Sequence, residues 1–390
     1  MPRILARVLF IPVLVATTFA FSGTTPFVLD GNRVYARLAF VRPDGSLHRA
    51  LAFVDMGSPS TILTESLFKE LQLDRNRPLT FHVGTISVRV PAAQVTSDPS
   101  PPHSVGSDLK VEAVLPAGVM QNYVVVIDYR KQTLTFAASG TLKPEGIPVP
   151  FHINKETGLI AVDVSINGHT YPITIDNGSA YTWVRQSTAK VWLAAHPDWE
   201  RGVGAVGPSN MMMAGNGWES SGILLRIADM RIGSLSLKDV GALAAGPGPP
   251  VSGKLDLFDW YSTKNALPVI GWLGGNVLKR FRLTIDYPHR TMYWLTQSAP
   301  DSHHLDQVGL TLQAKGGDYI VASVATKAGK PTVPNVQPGD KLLRIDALET
   351  RHASWGAIYA ALHGKPGEVR HLLLQRNGTQ LNVPATVTAF

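Results

Sequence analysis

A repeated series of strand, turn, strand and acidic loop constrains this chain more than any other feature of its sequence. Around Asp55 the chain reads YARLAFVRPDGSLHRALAFVDMGSPSTIL: an apolar strand, an Asp44-Gly45 turn, a second apolar strand and then the acid. Around Asp176 it reads LIAVDVSINGHTYPITIDNGSAYTWV, with Asn167-Gly168 in the turn. Asp-Gly and Asn-Gly favour tight hairpins because both central residues of such a turn take positive φ. Each Asp is therefore expected to end the second strand of a hairpin and enter a glycine-containing loop.

The later parts of the two copies also correspond. LPAGVMQNYVVVIDYRKQTLTF closes the first at Phe136, and LGGNVLKRFRLTIDYPHRTMYW closes the second at Trp294. Aligning Asp128-Tyr129 with Asp286-Tyr287 sets Leu115 opposite Leu273 without a gap. The duplication spans nearly all of residues 25–296 and predicts a mainly β fold. A chain with 35 Gly, 28 Pro and only 17% charged residues suits many short strands and turns.

Two carboxyls brought together by such a duplication have a specific chemistry. Like charges within hydrogen-bond reach cannot both ionise, so the pair shares one proton and can act as base and acid at once. Gly57 and Gly178 allow tight turns and close backbone approach, while Ser58 and Ser179 are placed to donate to the carboxylates. The competing reading is structural, with each Asp bonding only its own backbone in an Asx-type turn.

With these motifs in place (DMGS at 55–58, DNGS at 176–179 and VIGWLGGNVLKRFRLTIDY at 269–287), the two units resemble the lobes of pepsin-like and retropepsin-like aspartic peptidases. The resemblance implies a two-lobed β-barrel fold, a catalytic pair Asp55 and Asp176, and support from Gly57, Ser58, Asn177, Gly178 and Ser179. It also marks two departures. The family usually has Thr between Asp and Gly, bonding across to the opposing loop; here Met56 and Asn177 stand there, and Met offers only a weak thioether acceptor. Pro116, opposite Gly274, lacks an N–H that the second copy has. Such enzymes close a mobile hairpin over substrate, and the Gly-rich segment 202–218 with Met211, Met212 and Met213 is the candidate flap.

The N-terminus, MPRILARVLFIPVLVATTFAFSG, has a basic start, a short apolar run and a small-residue exit, as expected for a signal peptide or an uncleaved anchor over residues 1–24. Export, to the periplasm or outside the cell, follows as an expectation. There is no Cys, so stability must rest on packing. The formal charge of +7 is scattered, giving no stripe for nucleic acid. GVGAVG at 202–207 follows no strand, GPPVSGKL at 248–255 lacks the Ser or Thr of a phosphate loop, and STAK at 187–190 has no accompanying motif. His303-His304 reads as a linker pair. No cofactor or metal is expected.

Residues 301–390 change register and resemble a PDZ domain. QPGDKLLRID at 337–346 is similar to its Pro-Gly-Asp turn and strand, and SWGAIYAALHG to its groove helix. The resemblance implies peptide binding by strand addition, with Gly309, Leu310, Thr311 and Leu312 at the carboxylate-binding loop. The expectation is thus a first lobe at 25–147, a second at 148–300 and a PDZ domain at 301–390. Together they would form a monomeric endopeptidase acting on peptide or protein substrates, with a possible membrane tether. The alternative is an inactive peptide-binding or scaffold protein on the same fold.

Overall fold

A computed structural model describes residues 21–74, 76–99, 109–211, 217–248 and 255–390. The segment expected to be a signal or anchor, 1–24, lies outside them up to residue 20. Ser22–Asp30 is the first strand, pairing at its start with Thr133–Ala137 and at its end with Arg33–Val41.

The chain is mainly β, with strands gathered into sheets of 13, 10 and six among the described residues. Both predicted hairpins form, but only the second has the tight turn. Arg33–Val41 pairs with Leu47–Asp55 through the longer loop 42–46, where Gly45 has positive φ and Asp44 does not, and Ile160–Ile166 pairs with His169–Ile175 across Asn167-Gly168. Asn167 and Gly168 have φ of 52° and 78°, as a tight Asn-Gly turn requires. A parallel strand then flanks each acidic loop: Asp55 is level with Pro116, and the Asp176 N–H donates to the Leu273 carbonyl (3.1 Å).

The closing hairpins of the two repeats meet edge to edge. Val124–Asp128 lies antiparallel to Phe281–Asp286, with Val126 opposite Thr284, Val125 opposite Ile285 and Ile127 opposite Leu283. In the alignment of Asp128 with Asp286, Val126 and Thr284 are equivalent positions. The pairing is therefore centred on a local two-fold axis through them. Each edge strand covers the other, which removes two exposed edges at once. One continuous core, including Phe136, Ile175, Phe281 and Trp294, runs through both repeats.

The C-terminal unit has its own core around Leu312, Tyr319, Ile358 and Leu374. Its sheet runs in the order Leu310–Lys315, Asp318–Val324, Lys341–Ile345, Val369–Arg376, Thr379–Thr386, beside the helix Trp355–Leu362. That helix starts where Ser354 accepts from the Ala357 N–H (3.1 Å), an ordinary N-cap. The unit is not detached: Thr326 pairs with Val203 of the second repeat, and Phe390 is buried with Tyr181, Trp183 and Trp272.

Candidate active site

Asp55 and Asp176 are both buried at the ends of their hairpins and are hydrogen-bonded to one another. Each carboxyl rests on the glycine of the opposite loop. A Cβ on Gly57 would lie 2.4 Å from Asp176 Oδ2, and one on Gly178 would lie 2.2 Å from Asp55 Oδ1. Only residues without a side chain permit that approach. The sequence-predicted pair is thus brought together, and both glycines are part of its seat.

Backbone donors divide unevenly between the carboxyls. Asp176 Oδ1 accepts the N–H groups of Gly178 (2.9 Å) and Ser179 (3.1 Å). Asp55 Oδ1 accepts from Gly57 (2.9 Å), but the Ser58 N–H turns to the Asp55 carbonyl (3.2 Å). Burial raises Asp55 well above the usual carboxylate range, and the neighbouring charge of Asp176 raises it further. Asp176 is also raised by burial, opposed by the Ser179 and Gly178 donors. Burial thus makes the pair hold a proton between them, while the Gly178 and Ser179 donors favour the charged form of Asp176.

The serines act differently from expectation. Ser58 Oγ donates to the Ser60 carbonyl (3.1 Å) and Ser179 Oγ to the Tyr181 carbonyl (2.7 Å), while Trp272 Nε1 donates to Ser179 Oγ (2.8 Å). Their hydroxyls brace the loops and leave the carboxylates to backbone donors. The cross-loop clasp is half made. Asn177 Oδ1 accepts the Met56 N–H (2.9 Å), but the buried Asn177 Nδ2 has no partner among the described residues and the Met56 side chain is packed into the core.

The Pro116 departure has a matching orphan. In the second repeat the Gly274 N–H donates to Thr182 Oγ1 (3.1 Å), which itself reaches Asn276 Oδ1 (3.0 Å). In the first repeat Pro116 has no N–H to give, and the equivalent hydroxyl, Thr61 Oγ1, is buried without a partner among the described residues. Thr61→Val should therefore be neutral or stabilising, whereas Thr182→Val should cost about 1–3 kcal/mol by stranding the Gly274 N–H. Denaturant melts of the two variants check the asymmetry.

The pair opens into a cleft of about 370 Å³ lined also by Arg33, Met211, Trp260 and Tyr261. A larger concavity of about 630 Å³, on the first repeat near Arg37, His48 and Glu112, is remote from the carboxyl pair. Of the flap candidates Met211 borders the cleft; Met212 and Met213 lie outside the described residues. Thr311 and Leu312 of the expected carboxylate loop already hold the chain itself. The Thr311 hydroxyl donates to the Ala205 carbonyl and the Leu312 N–H to Asn210 Oδ1 (2.9 Å). Leu310 pairs with Val324, and the Gly309 carbonyl accepts from the Ala325 N–H (2.8 Å).

Sequence reasoning missed Arg33 and Tyr261. Arg33 is buried, and its Nε donates to the Gly178 carbonyl (2.8 Å). Tyr261 lines the cleft beside Asp176; burial, with the charges of Asp176 and Asp55, holds its hydroxyl protonated well above the usual phenol range. The aromatic run FDWY at 258–261 was the available signal for Tyr261; nothing near Arg33 marks it. Because the positive charge of Arg33 favours ionisation of both acids, Arg33→Met should raise both apparent pKa values of the pair. Any activity that needs the singly ionised pair should then shift to higher pH on both limbs, as read in the pH dependence of kcat/KM.

No family model and no curated protein matches the chain. Among solved structures it is similar to basic 7S globulin from soybean, at 14% identity and a TM-score of 0.42, covering 71% of this chain and 95% of that one. It is likewise similar to the aspartic proteinase from Irpex lacteus, at 12% identity and a TM-score of 0.40, covering 71% and 98%.

Proposed function

We propose that the chain is an exported aspartic endopeptidase of two β lobes in a single monomer, followed by a PDZ-like unit. The observation that carries this reading is the pair of buried, mutually bonded carboxyls, each set against the opposing loop's glycine within an open cleft. A carboxyl pair that shares one proton suits peptide hydrolysis. The ionised member takes a proton from water as its oxygen attacks the peptide carbonyl, and the protonated member gives its proton to the carbonyl oxygen. Collapse of the tetrahedral adduct breaks the C–N bond and returns a proton to the leaving amine. Arg33 biases the pair toward ionisation, and Tyr261 stays neutral beside it.

A second reading, a peptide-binding protein without catalysis, is favoured by the half-made clasp at Met56 and the unpartnered Thr61 hydroxyl. Incubation of the purified protein with a mixture of unfolded peptides, from about pH 3 to about pH 8, separates the two. Internal peptide-bond cleavage with a bell-shaped profile is expected. Peptide binding with no cleavage at any pH would favour the second reading.

A further inference from the structure

Two sets of contacts run from the C-terminal unit to the carboxyl pair. The first passes through Asn210, which bridges the strand Leu310–Lys315 and the helix Trp355–Leu362. It accepts the Leu312 N–H on its side chain (2.9 Å) and the Tyr359 hydroxyl on its carbonyl (2.9 Å). Asn210 is 1% exposed, and buried Glu219 takes its Nδ2 together with the Met211 N–H (3.0 Å). A Cβ on Gly207 in the same segment would lie 2.1 Å from the Gln307 amide, so the segment fits only with glycine there. The next residue after Asn210 is Met211, at the rim of the cleft.

The second route passes through the start of the helix. Asp30, in the turn before Arg33, accepts the Ser354 hydroxyl (2.6 Å) and the Gly356 N–H (3.0 Å). Trp355 lies over the Arg33 guanidinium, 3.9 Å from its ring centroid. Arg33 in turn donates to the Met211 carbonyl and to the carbonyl of Gly178, the glycine that seats Asp55. Both routes therefore end on the same guanidinium.

We propose that the C-terminal unit is a positioning element for the carboxyl pair: its strand–helix groove holds the chain's own 205–210 segment, and its Trp355 fixes Arg33 against the Gly178 loop. This deepens the endopeptidase reading and rests on it for the catalytic consequence. A guanidinium covered by an indole face is held by attraction to the ring quadrupole. Without that face Arg33 is free to leave the Gly178 carbonyl, and a shift of about 1 Å at a reacting group lowers turnover by up to about 100-fold. The groove assigned by sequence to substrate peptide is, on this view, already used within the molecule.

The test uses the full chain with Trp355→Leu, Trp355→Phe and Tyr359→Phe. Trp355→Leu should lower kcat by about tenfold or more, and Trp355→Phe, which keeps a ring over Arg33, should recover most of that. Tyr359→Phe, which removes one oxygen, should raise KM several-fold with kcat little changed, because it loosens the segment next to Met211. Amide hydrogen exchange is the second readout. Residues 176–179 should exchange faster in Trp355→Leu and residues 205–211 faster in Tyr359→Phe, with Val124–Asp128 unaltered. Should Trp355→Leu fail to fold, the near-isosteric Tyr359→Phe carries the test. Unchanged kinetics and exchange in the folded variants would overturn the proposal. If the parent protein cleaves nothing, faster exchange still supports positioning while the endopeptidase reading falls, and unchanged exchange overturns both.

Discussion

Asp55→Asn and Asp176→Asn should each lower kcat/KM by at least about 1,000-fold, because each removes one half of a proton exchange that the other half cannot perform alone. The variants should remain folded. Asn keeps an oxygen for the Gly57 or Gly178 N–H, so the loop geometry survives. Stability should even rise at neutral pH. An acid whose folded-state pKa is raised contributes stability that is fully present below its unfolded value of about 3.9 and is lost as pH climbs through the folded one. Asn never ionises, so Asp55→Asn should melt at or above the parent temperature near pH 7, with the gap closing toward about pH 3. Thermal melts at both pH values, beside cleavage assays, separate loss of chemistry from loss of fold. Parent-level cleavage by either variant would dismiss the two-carboxyl mechanism.

Gly57→Ala and Gly178→Ala should be nearly as damaging, by a different route. The added carbon would stand 2.4 Å or 2.2 Å from an oxygen of the opposite carboxyl, well inside contact distance. The loops must separate, which breaks the bond between the acids and moves them away from a common water. A loss of at least about 100-fold in kcat/KM is expected, with about 1–3 kcal/mol of destabilisation from overpacking. Gly45→Ala is the control. Its Cβ would meet nothing within 4 Å, and only the positive φ of 83° penalises it. It should cost a little stability and no activity.

What could be read from the sequence was whatever local chemistry dictates. The Asn167-Gly168 turn needs positive φ, the alternating strands need two faces, and the repeat places Asp55 and Asp176 in equivalent loops. Even the weak point at Pro116 was visible, because the absence of an N–H is a property of the residue alone. Arg33 was hidden for the opposite reason. It is the first residue of an ordinary strand, and its importance comes from Gly178, Met211 and Trp355, all brought to it by tertiary folding. In the 202–218 segment glycine suggests a free tip, and the described start of that segment is packed. Here Gly207 instead permits close packing against Gln307. The hydroxyls of Ser58 and Ser179 were expected on the carboxylates because proximity in sequence does not say which acceptor lies closest in space.

The pairing of Val126 with Thr284 about a local two-fold axis has the form of the interface in a symmetric dimer, where one patch meets its own copy. In a true homodimer every substitution would be made twice, and a defect in one acidic loop would be a defect in both. Joining the halves in one chain lifts that restriction. Pro116 can sit beside an orphaned Thr61 while Gly274, Thr182 and Asn276 keep their full set of bonds on the other side. Tolerance to mutation should accordingly be lopsided: a scan of equivalent positions would find the second half brittle and the first forgiving around its loop, except at the glycine and the acid that both halves need.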